Sequence, residues 1–73
     1  MKTIARIREN DESTGKIIRI GLIKMKNEYG KGYRLAASNG DDISYYMPQT
    51  EEKCMADMRA SWGKWDTYEE VTP

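Results

Sequence analysis

Apolar and polar residues alternate along the first two thirds of the chain and then recur at a helical spacing. Alternation that is rich in β-branched residues is typical of strands, because successive side chains point to opposite faces of a sheet. The pattern predicts four strands, at Thr3–Glu9, Lys16–Met25, Tyr33–Ala37 and Ile43–Met47. Apolar residues fall on both faces of the second strand, so we expect it in the middle of the sheet.

Polar and glycine-rich segments separate these strands. Asn10–Gly15 is rich in turn-forming residues, and Lys26–Gly32 contains two glycines and is predicted to be a loop. Asn39-Gly40 favours a type I′ hairpin turn, whose two central residues need positive φ angles. Pro48 ends the fourth strand. The pattern therefore predicts an antiparallel meander.

After Pro48, the apolar spacing changes to that of an amphipathic helix. One stripe collects Cys54, Met55, Met58 and Trp62. Thr50 suits the N-cap, and the acidic first turn is stabilised by the helix dipole. We expect a helix over Thr50–Trp62. The tail Trp65–Val71 is predicted to be a short extended segment, with one further helical turn as the alternative.

These elements predict a single α+β domain over residues 1–73. We expect about four antiparallel strands, one C-terminal amphipathic helix packed on one face of the sheet, and a short extended tail. Strand parity assigns to the covered face Ala5, Ile7, Ile18, Ile20, Leu22, Leu35, Ile43, Tyr45 and Met47. It assigns to the uncovered face Ile4, Arg6, Arg8, Ile17, Arg19, Ile23, Arg34, Ala36, Ser44 and Tyr46.

Charge is divided unevenly between the two halves of a chain whose net charge is zero. Residues 1–36 carry a net charge of +5 and residues 37–73 a net charge of −5. All the arginines of the basic half fall on the uncovered face, whereas the acids of the second half fall in the hairpin turn, the helix and the tail. The pattern predicts a basic sheet face behind an acidic helical layer. Such a face is either a solvated surface of an open sheet or a binding surface.

Two binding functions fit the uncovered face. Its isoleucines, Ile4, Ile17 and Ile23, stand beside arginines, which favours a protein-interaction module or a homodimer, because arginine is enriched at interface hot spots. Its arginines are Arg6, Arg8, Arg19 and Arg34. Nucleic-acid binding is the alternative, since guanidinium groups pair with phosphates and Tyr46 can stack on bases. A pI near 6.2 favours the protein partner, because nucleic-acid-binding domains usually have a high pI. A third hypothesis is that the acidic half mimics a nucleic acid.

The composition disfavours several kinds of chemistry. Histidine is absent, which removes the commonest general base and the commonest metal ligand. Cys54 is the single cysteine, so the chain has no internal disulfide and no thiolate cluster for zinc. No apolar run approaches the roughly 18 residues that a membrane span needs. We therefore expect a non-enzymatic cytoplasmic protein with no catalytic residues, no cofactor, no metal and no membrane partner.

Short segments at both ends of the chain resemble one group of proteins. Ile4–Arg8 followed by Thr14–Ile18, and Trp62–Asp66 near the other end, are similar to small uncharacterised proteins carried by conjugative transposons and related mobile elements of Gram-positive bacteria. Such proteins have no established activity, so the resemblance implies no functional residue. It implies a cytoplasmic accessory protein associated with DNA transfer or host defence.

Overall fold

The fold is an antiparallel sheet of four strands with one helix on one of its faces. The computed structural model describes residues 2–8, 15–41 and 46–71. In chain order the elements are β1 (Lys2–Arg8), β2 (Ile17–Asn27), β3 (Gly30–Ala37), α1 (Glu51–Trp62) and β4 (Glu69–Glu70). The strand order is β3-β2-β1-β4, and every neighbouring pair is antiparallel. The predicted α+β class is confirmed.

The fourth strand of this sheet comes from the tail of the chain. The predicted strand Ile43–Met47 lies largely outside the described residues, and its last two residues form a bend. The tail turns through residues 65–67 and then pairs with β1, where Glu69 lies opposite Arg6 and Glu70 opposite Ala5. The first three strands therefore form the predicted meander, and the tail adds a strand on its β1 side.

The β2–β3 hairpin is longer than the sequence predicts, so the predicted loop Lys26–Gly32 is wrong. Only Glu28 and Tyr29 form the turn, and Asn27 lies opposite Gly30. Gly30 has a φ of 126°, which glycine adopts readily. The Asn27 Oδ1 accepts a hydrogen bond from the Tyr29 N–H at 2.9 Å, which fixes the turn locally. Both strands therefore continue to the hairpin tip.

The turn after β3 also differs from its prediction. Gly40 has a φ of 89°, but Asn39 does not have a positive φ, so the type I′ turn is not formed. Instead, the Gly40 N–H donates to the Ala37 carbonyl at 3.0 Å. The other predicted turn, Asn10–Gly15, lies outside the described residues except for Gly15.

The core lies between α1 and one face of the sheet. It comprises Ile4, Ala5, Ile7, Ile18, Ile20, Leu22, Leu35, Ala37, Cys54, Met58 and Trp62. The covered face predicted for β1, β2 and β3 is therefore confirmed. Met47 is an exception, because it lies in the bend and is 53% exposed, while Ile43 and Tyr45 are outside the described residues.

The prediction that Ile4 lies on the uncovered face is wrong. A β-bulge interrupts β1, because Thr3 lies opposite Gly21 and Ala5 lies opposite Ile20. Ile4 is the extra residue between them, and an extra residue resets the alternation of side chains along a strand. Ile4 and Ala5 are consequently both buried.

A short pairing with β3 fixes where the helix begins. The Tyr33 N–H donates to the Gln49 carbonyl at 2.8 Å, and the Gln49 N–H donates to the Tyr33 carbonyl at 3.0 Å. The Thr50 Oγ1 then accepts a hydrogen bond from the Lys53 N–H at 3.1 Å, as expected of an N-cap. The predicted helix Thr50–Trp62 is confirmed, and it starts beside the middle of β3.

The tail is fastened to β1 and to α1 by a set of hydrogen bonds that we call the tail latch. The Thr67 Oγ1 accepts from the Arg8 N–H at 2.8 Å and donates to the Arg8 carbonyl at 2.7 Å. The Glu70 Oε1 accepts from the Arg59 Nε at 2.5 Å and from the Tyr68 hydroxyl at 2.8 Å. The hydrogen bond from Arg59, followed by that from Tyr68, lowers the pKa of Glu70. Burial and the hydrogen bond to Glu70 raise the pKa of Tyr68 to about 12.

We expect Gly32→Ala to destabilise the fold by about 1–3 kcal/mol, the usual cost of overpacking. A Cβ at this position would lie 2.6 Å from the Gln49 carbonyl oxygen and 2.8 Å from the Pro48 Cβ, so the chain before α1 would have to shift. Urea unfolding measures the effect, with Lys31→Ala as the neighbouring control. Equal midpoints for the two variants would contradict the close approach.

We expect the tail latch to stabilise the fold at neutral pH and to weaken as the pH falls. The pKa of Glu70 is lower in the folded state, so its contribution is present above the unfolded-state pKa and is lost as the pH falls through the folded-state pKa. A thermal double-mutant cycle of Arg59→Ala and Glu70→Gln, repeated from neutral to acidic pH, measures this coupling. A coupling that does not change across this pH range would contradict the assignment.

Candidate functional site

Four exposed residues form a compact block on the uncovered face, which we call the arginine surface. Its members are Arg6 and Arg8 on β1 and Ile17 and Arg19 on β2. Arg6 lies directly opposite Arg19, and Arg8 lies directly opposite Ile17. Ile17 is 58% exposed, although isoleucine is among the residue types that are most often fully buried. The structure therefore brings together four of the eight residues that the sequence predicts for a binding site.

Acidic residues of the tail border the arginine surface, which the sequence analysis did not predict. The Glu69 Oε1 lies 3.5 Å from the Arg6 Nη2. Asp66 and Thr67 line an open cleft of about 470 Å³ together with members of the arginine surface. The predicted separation of a basic sheet face from an acidic helical layer is therefore incomplete, because β4 carries acidic side chains to the edge of the sheet.

Two other predicted site residues form a separate pair further along the sheet. Ile23 lies directly opposite Arg34, and both are half-buried. Ile23 is four residues from Arg19 along β2, which corresponds to about 13 Å. Between them, Gly21 lies opposite Ala36, and both are buried. Among the described residues, the uncovered face thus has no continuous exposed apolar patch that joins Ile17 to Ile23.

Tyr46 is far from the arginine surface. The residue is 91% exposed, and its carbonyl accepts a hydrogen bond from the Asn27 Nδ2 at 2.9 Å. Asn27 is eight residues from Arg19 along β2, so the two positions are about 26 Å apart. Within the described strands, the uncovered face carries no aromatic residue. The predicted combination of arginines and a stacking tyrosine is therefore not assembled there.

A group of lysines at the far end of the hairpin was missed by the sequence analysis. Lys24 and Lys26 on β2 and Lys31 on β3 share the face of the sheet that α1 covers elsewhere, and we call these three residues the lysine end. They line an open groove of about 430 Å³ with Met25, Gly32 and Tyr33. The alternation of Lys24-Met25-Lys26 was the available signal, since it continues the period of β2, but the nearby glycines favoured a loop.

Exposed apolar side chains surround the tip of the same hairpin. Tyr29 is 59% exposed, and the bend beside the tip carries the exposed Tyr46 and Met47. The two hydrogen bonds of the Asn27 side chain, to Tyr29 and to Tyr46, hold the turn and the bend together. Two exposed aromatic side chains, Tyr29 and Tyr46, therefore lie at the hairpin tip and not on the uncovered face, while the exposed Trp65 lies in the tail.

The buried thiol is a structural group. Cys54 is buried in the core, and its Sγ donates to the Tyr33 carbonyl at 3.6 Å. Burial, and then the nearby carboxylates of Asp57 and Glu51, raise the pKa of Cys54. A raised pKa reduces the thiolate fraction on which nucleophilic reactivity depends. Cys54 therefore acts as the small buried hydrophobe that the helical stripe predicts.

The described residues contain no group of three or more histidine, cysteine, aspartate or glutamate side chains that could hold a metal ion. None of the helices in the described ranges is both long enough and apolar enough to cross a membrane. Comparisons with protein families, curated proteins and solved structures found no match to this chain. The resemblance to mobile-element proteins therefore stays a prediction.

We expect Lys31→Glu to stabilise the fold by roughly 0.2–1 kcal/mol. Lys26 lies directly opposite Lys31, so the substitution replaces a repulsive cross-strand pair with an attractive one. Thermal unfolding at low salt measures the gain, and Lys16→Glu makes the same change of charge at an exposed position outside the hairpin. An equal or larger gain in the Lys16 variant would show that the cross-strand pair is not repulsive.

Proposed function

We propose that this chain is a non-enzymatic cytoplasmic domain that binds a protein partner through the arginine surface. The observation that carries the proposal is Ile17, which is 58% exposed within a block of three exposed arginines. An exposed apolar residue among arginines is typical of the centre of a protein interface, where arginine is enriched and its apolar stem adds contact area.

The acids beside the arginine surface favour a protein over a nucleic acid as its partner. Glu69 is 3.5 Å from Arg6, and Asp66 lines the same cleft. Their negative charge reduces the attraction of this surface for phosphates, and both acids repel a polyanion such as a nucleic acid. A protein can present both signs of charge in a complementary arrangement. A second copy of this chain meets the same requirement, because it presents both the arginine surface and the acids that border it.

We expect Ile17→Asp to weaken partner binding at least tenfold, which corresponds to about 1.4 kcal/mol. Ser61→Asp is the matched control, because Ser61 is an exposed residue of α1 and lies outside the two strands that carry the arginine surface. Both variants are to be compared by sedimentation velocity from low to high micromolar concentration, which detects a homodimer. A self-association that Ile17→Asp removes and Ser61→Asp retains would identify the second copy as the partner.

A different partner is detected by photo-crosslinking in extracts of the native host. A photo-reactive amino acid is placed at position 17 or, as the control, at position 61. We expect discrete crosslinked products from position 17 that excess wild-type protein competes away and Ile17→Asp does not. A monomer at every concentration, together with the same crosslinking pattern from both positions, would overturn the proposed function.

A further inference from the structure

The lysine end concentrates positive charge in a small area. Lys26 lies directly opposite Lys31, and Lys24 lies two residues along β2 on the same face. Opposite residues of neighbouring strands have Cβ atoms about 5 Å apart, and residues two apart on one strand are separated by about 6.6 Å. Three ammonium groups therefore project from one face of the hairpin, and their spacing is within the length of a lysine side chain.

This charge is not neutralised by the parts of the chain that the structure describes. The ion pairs among the described residues are Arg6–Glu69, Lys53–Asp57 and Arg59–Glu70, and none includes a residue of the lysine end. Every charged residue that lines the groove is a lysine. Among the described residues, Glu28 lies in the hairpin turn, and Glu51 shares a neighbouring cleft with Lys24. The opposed pair Lys26–Lys31 thus repels itself, and a bound anion would relieve that repulsion.

The end of the hairpin is also accessible. β1 begins opposite Leu22, so the part of β2 beyond Leu22 has β3 as its only neighbouring strand among the described residues. The helix starts just after Gln49, which pairs with Tyr33, so the lysine end lies past the helix-covered region. Lysine side chains on such a ribbon can follow an extended ligand on one side.

We propose that the lysine end is a second binding site, which holds the phosphate backbone of a single-stranded nucleic acid. A row of phosphates offers closely spaced negative charges, which match closely spaced lysines better than isolated carboxylates do. The exposed rings of Tyr29 and Tyr46 lie at the same end of the hairpin, where bases of a single strand can stack on them. The arginine surface, in contrast, is bordered by acids, and no aromatic residue lies among its members or along the described strands of its face.

The test is fluorescence anisotropy with a labelled single-stranded oligonucleotide at about 50 mM and about 200 mM salt. The variant Lys24→Ala/Lys26→Ala/Lys31→Ala is compared with Lys16→Ala/Lys53→Ala/Lys64→Ala, which removes the same charge elsewhere. Circular dichroism verifies that both variants fold. Three phosphate contacts to a single strand predict that the wild-type affinity falls by roughly 20-fold between these salt concentrations, and that the lysine-end variant loses most of this dependence.

The control variant is expected to keep most of the wild-type affinity and its salt dependence. Absence of binding at the lower salt concentration would overturn the proposal. So would binding that survives in the lysine-end variant but is lost in Arg6→Ala/Arg19→Ala, because it would place the nucleic acid on the arginine surface. Competition by polyglutamate as strong as by unlabelled oligonucleotide would replace the nucleic acid with an acidic polypeptide. None of these outcomes depends on whether Ile17 contacts a protein partner.

Discussion

The helix of this domain is too short to cover the hairpin on which it packs. α1 has twelve residues and spans about 18 Å, whereas the eleven residues of β2 span about 36 Å. Along one face of β2, Ile18, Ile20 and Leu22 are buried, and the same parity then continues with Lys24 and Lys26. Apolar residues give way to lysines where the cover ends. The length of the helix therefore determines where the core ends and where the exposed end of the hairpin begins.

The tail determines the charge around the arginine surface. By pairing with β1, it provides a fourth strand and brings Glu69 beside Arg6, while Glu70 ties it back to Arg59 on the helix. The arginines of the basic half are thus partly matched by acids from the far end of the chain. A neutral net charge therefore coexists with two local surfaces of different kinds, one of mixed charge and one with lysines alone.

Local patterns in the sequence predicted the helix, its cap and the covered face of the first three strands, because periodicity and burial agree there. They also predicted that one face of the sheet carries Arg6, Arg8, Ile17 and Arg19, since strand parity is reliable where the pairing of two strands is uninterrupted. The bulge at Ile4 has no local signal, because one extra residue changes the pairing without changing the composition. The pairing of Glu69 and Glu70 with β1 joins residues more than sixty positions apart, which no local pattern reports. The lysine end was missed because Gly30 and Gly32 predicted a loop, whereas both lie in β3 and the turn consists of Glu28 and Tyr29.

The continuity of β2 has a consequence for simultaneous binding. Arg19 and Lys26 are seven residues apart on this strand, or about 23 Å, and their odd separation points them to opposite faces of the sheet. Two ligands bound at these positions would not compete for space. Because one hydrogen-bonded strand joins the two positions, their separation is set by a rigid spacer and not by a flexible linker. Such a spacer favours binding to assemblies whose two contact points are separated by a matching distance. Partners would then be selected by geometry as well as by affinity.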